Sequence, residues 1–233
     1  MLILPSAIIP EPFIWSILET LAEAAQLMYR GTLRSDGRPF NDILHRDLKP
    51  ANIFLADNPG TGWPGMCAIA KLGDFGCAIE HQARDTTNPL GMINMGTFEY
   101  MAPEQFGECQ NQLRTPLDSR ANVYAIGKTI LALMLLTDPP AHNNIDPLPI
   151  DVQRDVHQKY SEQLWDLIQH CVRVPLGLRP TVGELLEDVR RHIQRHDMRN
   201  DHAGGRIVLL MDPYVLFAKP APRQGGRGGA MPG

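Results

Sequence analysis

The strongest constraint on this chain is a polar knot. Residues 45–52 read HRDLKPAN, which puts a histidine, an arginine, an aspartate, a lysine and an asparagine within eight residues. Ile43 and Leu44 precede the knot, and the strand-like run Ile53, Phe54 and Leu55 follows it. A turn-rich loop, DNPGTGWPG at 57–65, and a second apolar run from Cys67 to Leu72 come next, so strand, loop and strand are expected after the knot. Any one Asp, Asn or Lys in a turn is ordinarily a solvated turn residue. Their grouping is what calls for a chemical reading.

Elsewhere the sequence is mostly helical. Ile14, Ile17, Leu18, Leu21, Ala24, Ala25 and Met28 follow the spacing of a helix with one buried face, with Pro12 near its start and Gly31 past its end. Residues 77–101 show no convincing period and read as a long mobile loop. From Asp118 to Leu136 nearly every side is apolar, the mark of a helix through the middle of a domain. Residues 138–150 form a Pro-rich connection, and the stretch 138–160 shows little sign of a helix. Ser161 reads as the N-cap of a helix carrying Leu164, Leu167, Ile168 and Cys171, and a last helix is expected from Thr181 to about His196. Residues 200–233, ending QGGRGGAMPG, form a low-complexity tail expected to be disordered. The fold class expected is α+β, mostly helical.

Composition narrows the functions. The chain has 233 residues, 43% of them apolar, enough to bury a core. Basic and acidic residues, 22 against 26, are interspersed, which argues against nucleic-acid and membrane-surface partners. Cys67, Cys77, Cys109 and Cys171 form no CxxC pair and fit reduced thiols better than a disulfide framework or a zinc site. The opening MLILPSAIIP lacks a basic start and is broken by Pro5 and Pro10, unlike a signal peptide. The longest apolar run, 123–136, contains Lys128 and is too short to span a bilayer. A soluble intracellular protein, cytoplasmic or nuclear, is the expectation.

Phosphoryl transfer requires an oriented acceptor hydroxyl, divalent metal held against phosphate, and positive charge. HRDLKPAN matches H-R-D-L-x-x-x-N, and GDFG at 73–76 matches the D-F-G that accompanies it in protein kinases. MGTFEYMAPEQ at 95–105, DSRANVYAIG at 118–127 and LRPT at 178–181 follow in the same order as in that family. Over about residues 5–195 the chain thus resembles the C-terminal lobe of a eukaryotic-type Ser/Thr protein kinase, with a small β-hairpin next to the catalytic loop. The resemblance implies a kinase-lobe domain over 1–199, with ATP and Mg²⁺ as cofactors and protein substrates carrying Ser or Thr. Asp47 would accept or orient the hydroxyl proton. Asn52 and Asp74 would bind metal, and Lys49 would contact the transferring phosphate. Lys49 together with Thr97 points to serine or threonine as acceptor. His45 would pack under the DFG segment, and Arg46 would face a phosphate or acidic group on the activation loop. Glu104 and Arg179 would pair in the interior as structural charges.

The chain departs from the family in four places. About ten residues precede the first helix, leaving no room for an N-terminal lobe with its Gly-rich loop and strand lysine, so autonomous activity is not expected. Asn122 stands where the family usually has an aspartate that accepts from the catalytic-loop backbone. Ile93 occupies the place where many relatives carry a phosphorylated Ser or Thr, which leaves Thr86 and Thr87 as the nearest upstream hydroxyls. The helix that often follows the central one is not evident in 138–160. Two main readings stay open: a Ser/Thr kinase represented by a fragment, and a catalytically silent kinase-like module that binds protein partners; a small-molecule phosphotransferase sharing the fold is a weaker third.

Overall fold

A computed structural model of the protein describes residues 8–30, 41–57, 68–81, 94–106, 117–140 and 150–196. Within them lie five helices: α1 (Glu11–Arg30), α2 (Arg120–Leu135), α3 (Ile150–Lys159), α4 (Glu162–Cys171) and α5 (Val182–Arg195). Four short strands accompany them: β1 (Asp42–Leu44), β2 (Ile53–Asp57), β3 (Ala68–Leu72) and β4 (Ile79–His81). β1 pairs antiparallel with β4, and β2 antiparallel with β3. The expected mostly helical α+β character holds among the described residues.

α2 is the axis of the molecule. Its residues from Ala121 to Met134 are all buried, which explains a sequence apolar on nearly every side. α1, α4 and the short 3₁₀ turn Phe98–Tyr100 pack around it. Gly127 sits mid-helix at a cost of roughly 0.5–1 kcal/mol relative to alanine. The reason is contact: a Cβ there would stand 2.7 Å from the Cβ of Cys171 and 2.8 Å from Cγ1 of Val172, so the glycine lets α4 close onto α2. Lys128 is wholly buried on the same helix, and its Nζ donates to the carbonyl of Pro140. Burial lowers its pKa to about 7.

α1 buries Phe13, Ile14, Ile17, Leu18, Leu21, Ala25 and Met28 against α5, α2 and the strands. Glu11 fastens the helix start: its carboxylate accepts from Trp15 Nε1 at 3.0 Å and from the Ser161 backbone N–H at 2.8 Å. The Trp15 ring in turn stacks on His192 of α5 with centroids 4.0 Å apart. Ser161 caps α4 through its hydroxyl, which accepts from Leu164 N at 3.3 Å. Thr181 and Glu184 form a reciprocal capping box at the start of α5, worth about 1 kcal/mol by the usual measure of a cap.

Two expectations need correction. The sequence of 138–160 shows little sign of a helix, yet α3 occupies Ile150–Lys159. Its sequence, IDVQRDVHQK, is polar: Ile150 is 74% exposed, and Val156 is its core anchor, with Tyr160 just beyond its end. The helix carries a Lys159–Asp155 i,i+4 ion pair at 2.7 Å, and so few apolar anchors leave no period to read. The second correction lies in the described parts of 77–101, a stretch that reads from sequence as a long mobile loop. That stretch contributes β4 and the Phe98–Tyr100 turn, both three residues long and too short to show periodicity. Residues 82–93, with Thr86 and Thr87, lie outside the described residues, as do Gly31, Cys67, Cys109 and the expected tail from 200. Cys77 and Cys171 are free thiols. No helix among the described residues is long and apolar enough to cross a membrane.

Glu104 and Arg179 form a buried, bidentate ion pair beside α2, with Nη1–Oε1 at 2.6 Å and Nη2–Oε2 at 2.8 Å. Arg179 Nη2 also donates to the Val174 carbonyl at 3.0 Å, and its guanidinium lies 4.8 Å from the centroid of the Tyr124 ring. Replacing Arg179 with Met strands the Glu104 charge in the interior, and urea denaturation is expected to show a loss of about 3–5 kcal/mol. Adding Glu104→Leu to that variant is expected to recover part of the loss, since no unpaired charge then remains.

Candidate active site

Nested strand pairing creates the site. The polar knot runs from β1 to β2, and residues 73–78 run from β3 to β4. Because β1 pairs with β4 and β2 with β3, these two loops must leave the sheets side by side. Backbone and ring contacts then bolt them together. Gly73 N donates to Asn52 O at 3.0 Å, His45 Nε2 bonds Gly73 O at 3.1 Å, and Arg46 Nε donates to Cys77 O at 2.6 Å. The Phe75 ring lies tilted on that of His45, centroids 4.7 Å apart.

Since Gly73 O only accepts, His45 carries its proton on Nε2. Its Nδ1 is then an unprotonated buried atom without a hydrogen-bond partner. Burial lowers the His45 pKa below 6.5, against the opposing pull of the Gly73 hydrogen bond and of Asp47 and Asp74. The ring is therefore neutral at physiological pH.

Asp47 is the centre of a compact network. Its Oδ2 accepts from Lys49 Nζ at 2.8 Å and its Oδ1 from Thr97 Oγ1 at 2.6 Å. Lys49 Nζ also reaches Thr97 Oγ1 at 2.7 Å, closing a triangle. Asn52 Nδ2 donates to Asp47 O at 2.7 Å and to Asp47 Oδ2 at 3.2 Å. Burial alone would raise the Asp47 pKa. The bonds from Lys49 and Thr97, the lysine charge and the Asn52 bond outweigh it and hold the carboxyl below the usual carboxylate range, so it is ionised at neutral pH.

Asp74 sits in the facing loop, exposed and left-handed at φ 58 and ψ 71, where its Oδ1 accepts from Gly76 N at 3.3 Å. Arg46 is also left-handed, at φ 64. Such backbone costs on the order of 1–3 kcal/mol for a residue with a side chain and persists only where surrounding contacts fix it. Here those contacts are the bolts between the loops.

The sites expected from sequence divide into three groups. His45, Asp47, Lys49, Asn52 and Thr97 are brought together, with Asp74 on the adjoining loop one residue from the Gly73–Asn52 contact. Arg46 reaches back to the Cys77 carbonyl, and the activation-loop groups expected to meet it, Thr86 and Thr87, fall outside the described residues. Glu104 and Arg179 stand apart as the interior pair, and Asn122 lies buried beneath the knot.

Two participants carried no periodic signal. One is the β1–β4 pair itself. The other is Gly96, at φ 122, where a Cβ would stand 2.1 Å from the Arg46 carbonyl oxygen. A glycine directly before Thr97 was its only trace in the sequence. It brings the Thr97 turn against the knot at a distance that a side chain forbids.

Residues 16–189 match the Protein kinase domain family, and the chain belongs to that family. It is similar to the G2-specific protein kinase fin1 of Schizosaccharomyces pombe, at 32% identity over 179 residues, which covers 73% of this chain and 21% of that protein. Similarity to the serine/threonine-protein kinase Nek2 of Mus musculus is 30% over 206 residues, covering 82% and 41% respectively. For the serine/threonine-protein kinase Nek5 of Homo sapiens it is 31% over 149 residues, covering 62% and 19%. The chain spans between about a fifth and two fifths of the length of these relatives.

Two outcomes test this geometry. An NMR titration is expected to place the His45 pKa below 6.5. As pH falls below that value the unfolded chain takes up the proton first, so the stability present above 6.5 is lost as pH falls through the folded-state pKa. His45→Gln, which keeps a donor for Gly73 O and does not titrate, is expected to lose less stability over the same acid range in urea melts. Gly96→Ala is expected to lower stability by about 1–3 kcal/mol and to alter the Thr97 amide resonance.

Proposed function

We propose that the described residues are the larger, mostly helical lobe of a Ser/Thr protein kinase, the β2–β3 hairpin lying next to its catalytic loop. In this reading the parental protein transfers the γ-phosphate of ATP to Ser and Thr hydroxyls of protein substrates, and its smaller lobe supplies the nucleotide's remaining contacts. The observation that carries the reading is the Asp47 carboxylate, ionised and held between Lys49 and Thr97 at 2.6–2.8 Å. An ionised carboxylate in fixed orientation accepts the proton of an incoming hydroxyl and aims its oxygen. Lys49, a side chain away, supplies positive charge for the transferring phosphoryl group.

The donor set also suits magnesium. Asn52 commits its amide nitrogen to Asp47, which leaves Oδ1 as the atom to meet a cation, and Asp74 presents a carboxylate from the facing loop. Mg²⁺ prefers oxygen donors and is commonly held by one or two carboxylates together with phosphates and water. Among the described residues no three His, Cys, Asp or Glu side chains form a self-sufficient metal cage, in keeping with a metal carried in on nucleotide. When bound, the ion neutralises charge developing on the phosphates. Orienting the acceptor and holding its proton fall to Asp47, assisted by Lys49 and Thr97.

The test is labelling of a Ser/Thr-containing protein from γ-labelled ATP, by the chain and by any longer polypeptide that carries it. Asp47→Asn is expected to lower turnover by about 10²–10⁴-fold, with the chain still folded. Near-normal turnover in that variant overturns the base assignment. Asp74→Ala is expected to abolish the Mg²⁺ dependence of nucleotide binding, and unchanged dependence overturns the metal assignment.

A further inference from the structure

Lys128 stands midway along α2, in the stretch from Ala121 to Met134 where every residue is buried, and it is wholly buried itself. Thr129, the polar residue beside it, is satisfied within the helix: its Oγ1 donates to Ala125 O one turn back at 2.7 Å. Lys128 instead reaches out of the helix, and its Nζ donates to the carbonyl of Pro140. An apolar side chain fills such a position without the large cost of taking an ammonium out of water. What the lysine adds is a tie from the core to residues 138–140.

That segment is gripped a second time, by the Phe98–Tyr100 turn. Tyr100 is 5% exposed and donates its hydroxyl to Asp138 Oδ1 at 2.9 Å. Burial and the neighbouring Asp138 push the phenol pKa up, so the hydroxyl stays a donor. Pro139 alone separates Asp138 from Pro140, and two successive prolines with fixed φ make the connection stiff. The turn is joined to the polar knot in its turn: Tyr100 N donates to Thr97 O at 2.9 Å, and Thr97 Oγ1 to Asp47 Oδ1 at 2.6 Å. A continuous series of contacts therefore runs from Lys128 in the core to Asp47.

We infer that Lys128 is a positioning residue for the acceptor side of the site: from inside α2 it holds residues 138–140, and through the Asp138–Tyr100 bond it fixes the turn that presents Thr97 to Asp47. Its effect on phosphoryl transfer rests on the kinase reading above, whereas the hold itself does not. The ionisable groups around it are Glu99 and Tyr100 on the turn, Asp138 in the held segment, and Cys171 of α4, which packs beside Gly127. The Glu99 charge favours the ammonium, while burial keeps Tyr100 and Cys171 protonated, the thiol pushed up to about 12. Burial of the amine outweighs Glu99 and brings its pKa from 10.5 down to about 7. Between those two values the unfolded chain binds the proton and the folded chain does not, so stability rises with pH across that window. Below about 7 both states carry the proton and the contribution is flat.

The experiment compares the full chain as wild type, K128M, K128Q and Y100F. Methionine has neither donor nor titratable group, whereas glutamine keeps an N–H for the Pro140 carbonyl and does not titrate. In thermal melts from pH 6.5 to pH 9, wild type is expected to gain roughly 5 °C on both position-128 variants, and Y100F to keep the wild-type slope. At constant pH, K128M and Y100F are expected to move the Thr97 methyl resonance, and K128Q to return it toward wild type. A melting gap independent of pH overturns the inference, as does a Thr97 resonance that stays in place in K128M or moves equally in K128M and K128Q. If K128M does not fold, Y100F cuts the same series further out, and an unmoved Thr97 resonance in that variant overturns the inference. In a polypeptide that transfers phosphate, K128M is expected to raise KM for the protein acceptor about fivefold with KM for ATP unchanged. Mere loss of folded enzyme lowers kcat and leaves both KM values, and that result overturns the positioning role. A wild type that labels no substrate overturns the kinase reading instead, and the melts and resonances still decide the hold.

Discussion

Two pairs of short strands, β1 with β4 and β2 with β3, determine where the loops that carry Asp47 and Asp74 stand. Neither pair would be stable alone in water. β1 and β3 pack on α1, and the turn Pro50–Asn52 packs on α2, which turns local pairing into a fixed juxtaposition of two loops. The ionised Asp47 is on one loop and the left-handed Asp74 on the other, and neither loop can shift without breaking contacts in the second. The strained backbone at Arg46 and Asp74 is the local cost of this arrangement.

The site is also an electrostatic construction. Asp47 is nearly buried, and burial on its own would favour the neutral acid; a lysine, a hydroxyl and an amide converge to keep it charged. His45, equally buried, has one acceptor in reach and stays neutral. One small region thus holds a persistent anion next to a persistent neutral ring, the separation of protonation states that general-base chemistry needs. Deeper in the fold the Glu104–Arg179 pair is buried, its full charges matched to each other and the guanidinium also to backbone carbonyls.

Much of this was legible in the sequence, for identifiable reasons. Helices with a dense apolar pattern, such as the one around Ile17 and Leu21 or the one capped by Thr181, announce themselves through burial and capping chemistry. The cluster of Asp47, Lys49, Asn52 and Asp74 was legible because its residue types match a known chemical task in a fixed order. What stayed hidden has physical causes too. α3 has a mostly polar sequence, β1 and β4 are too brief for alternation to show, and the closeness of Gly96 to Arg46 is a tertiary contact that no local pattern encodes. Asn122 was recognised as a departure, but its bonds to His45 N–H and the Ile43 carbonyl became visible only once the fold brought them together.

The contact between Gly96 and the Arg46 carbonyl carries a wider implication. Because the peptide at 96 rests directly on the peptide at 46, the segment that presents Thr97 and the segment that presents Asp47 behave as a single mechanical piece. The exposed Met95 and Phe98 flank Thr97, so a push on that surface reaches the Asp47 carboxylate without any displacement of the helical core.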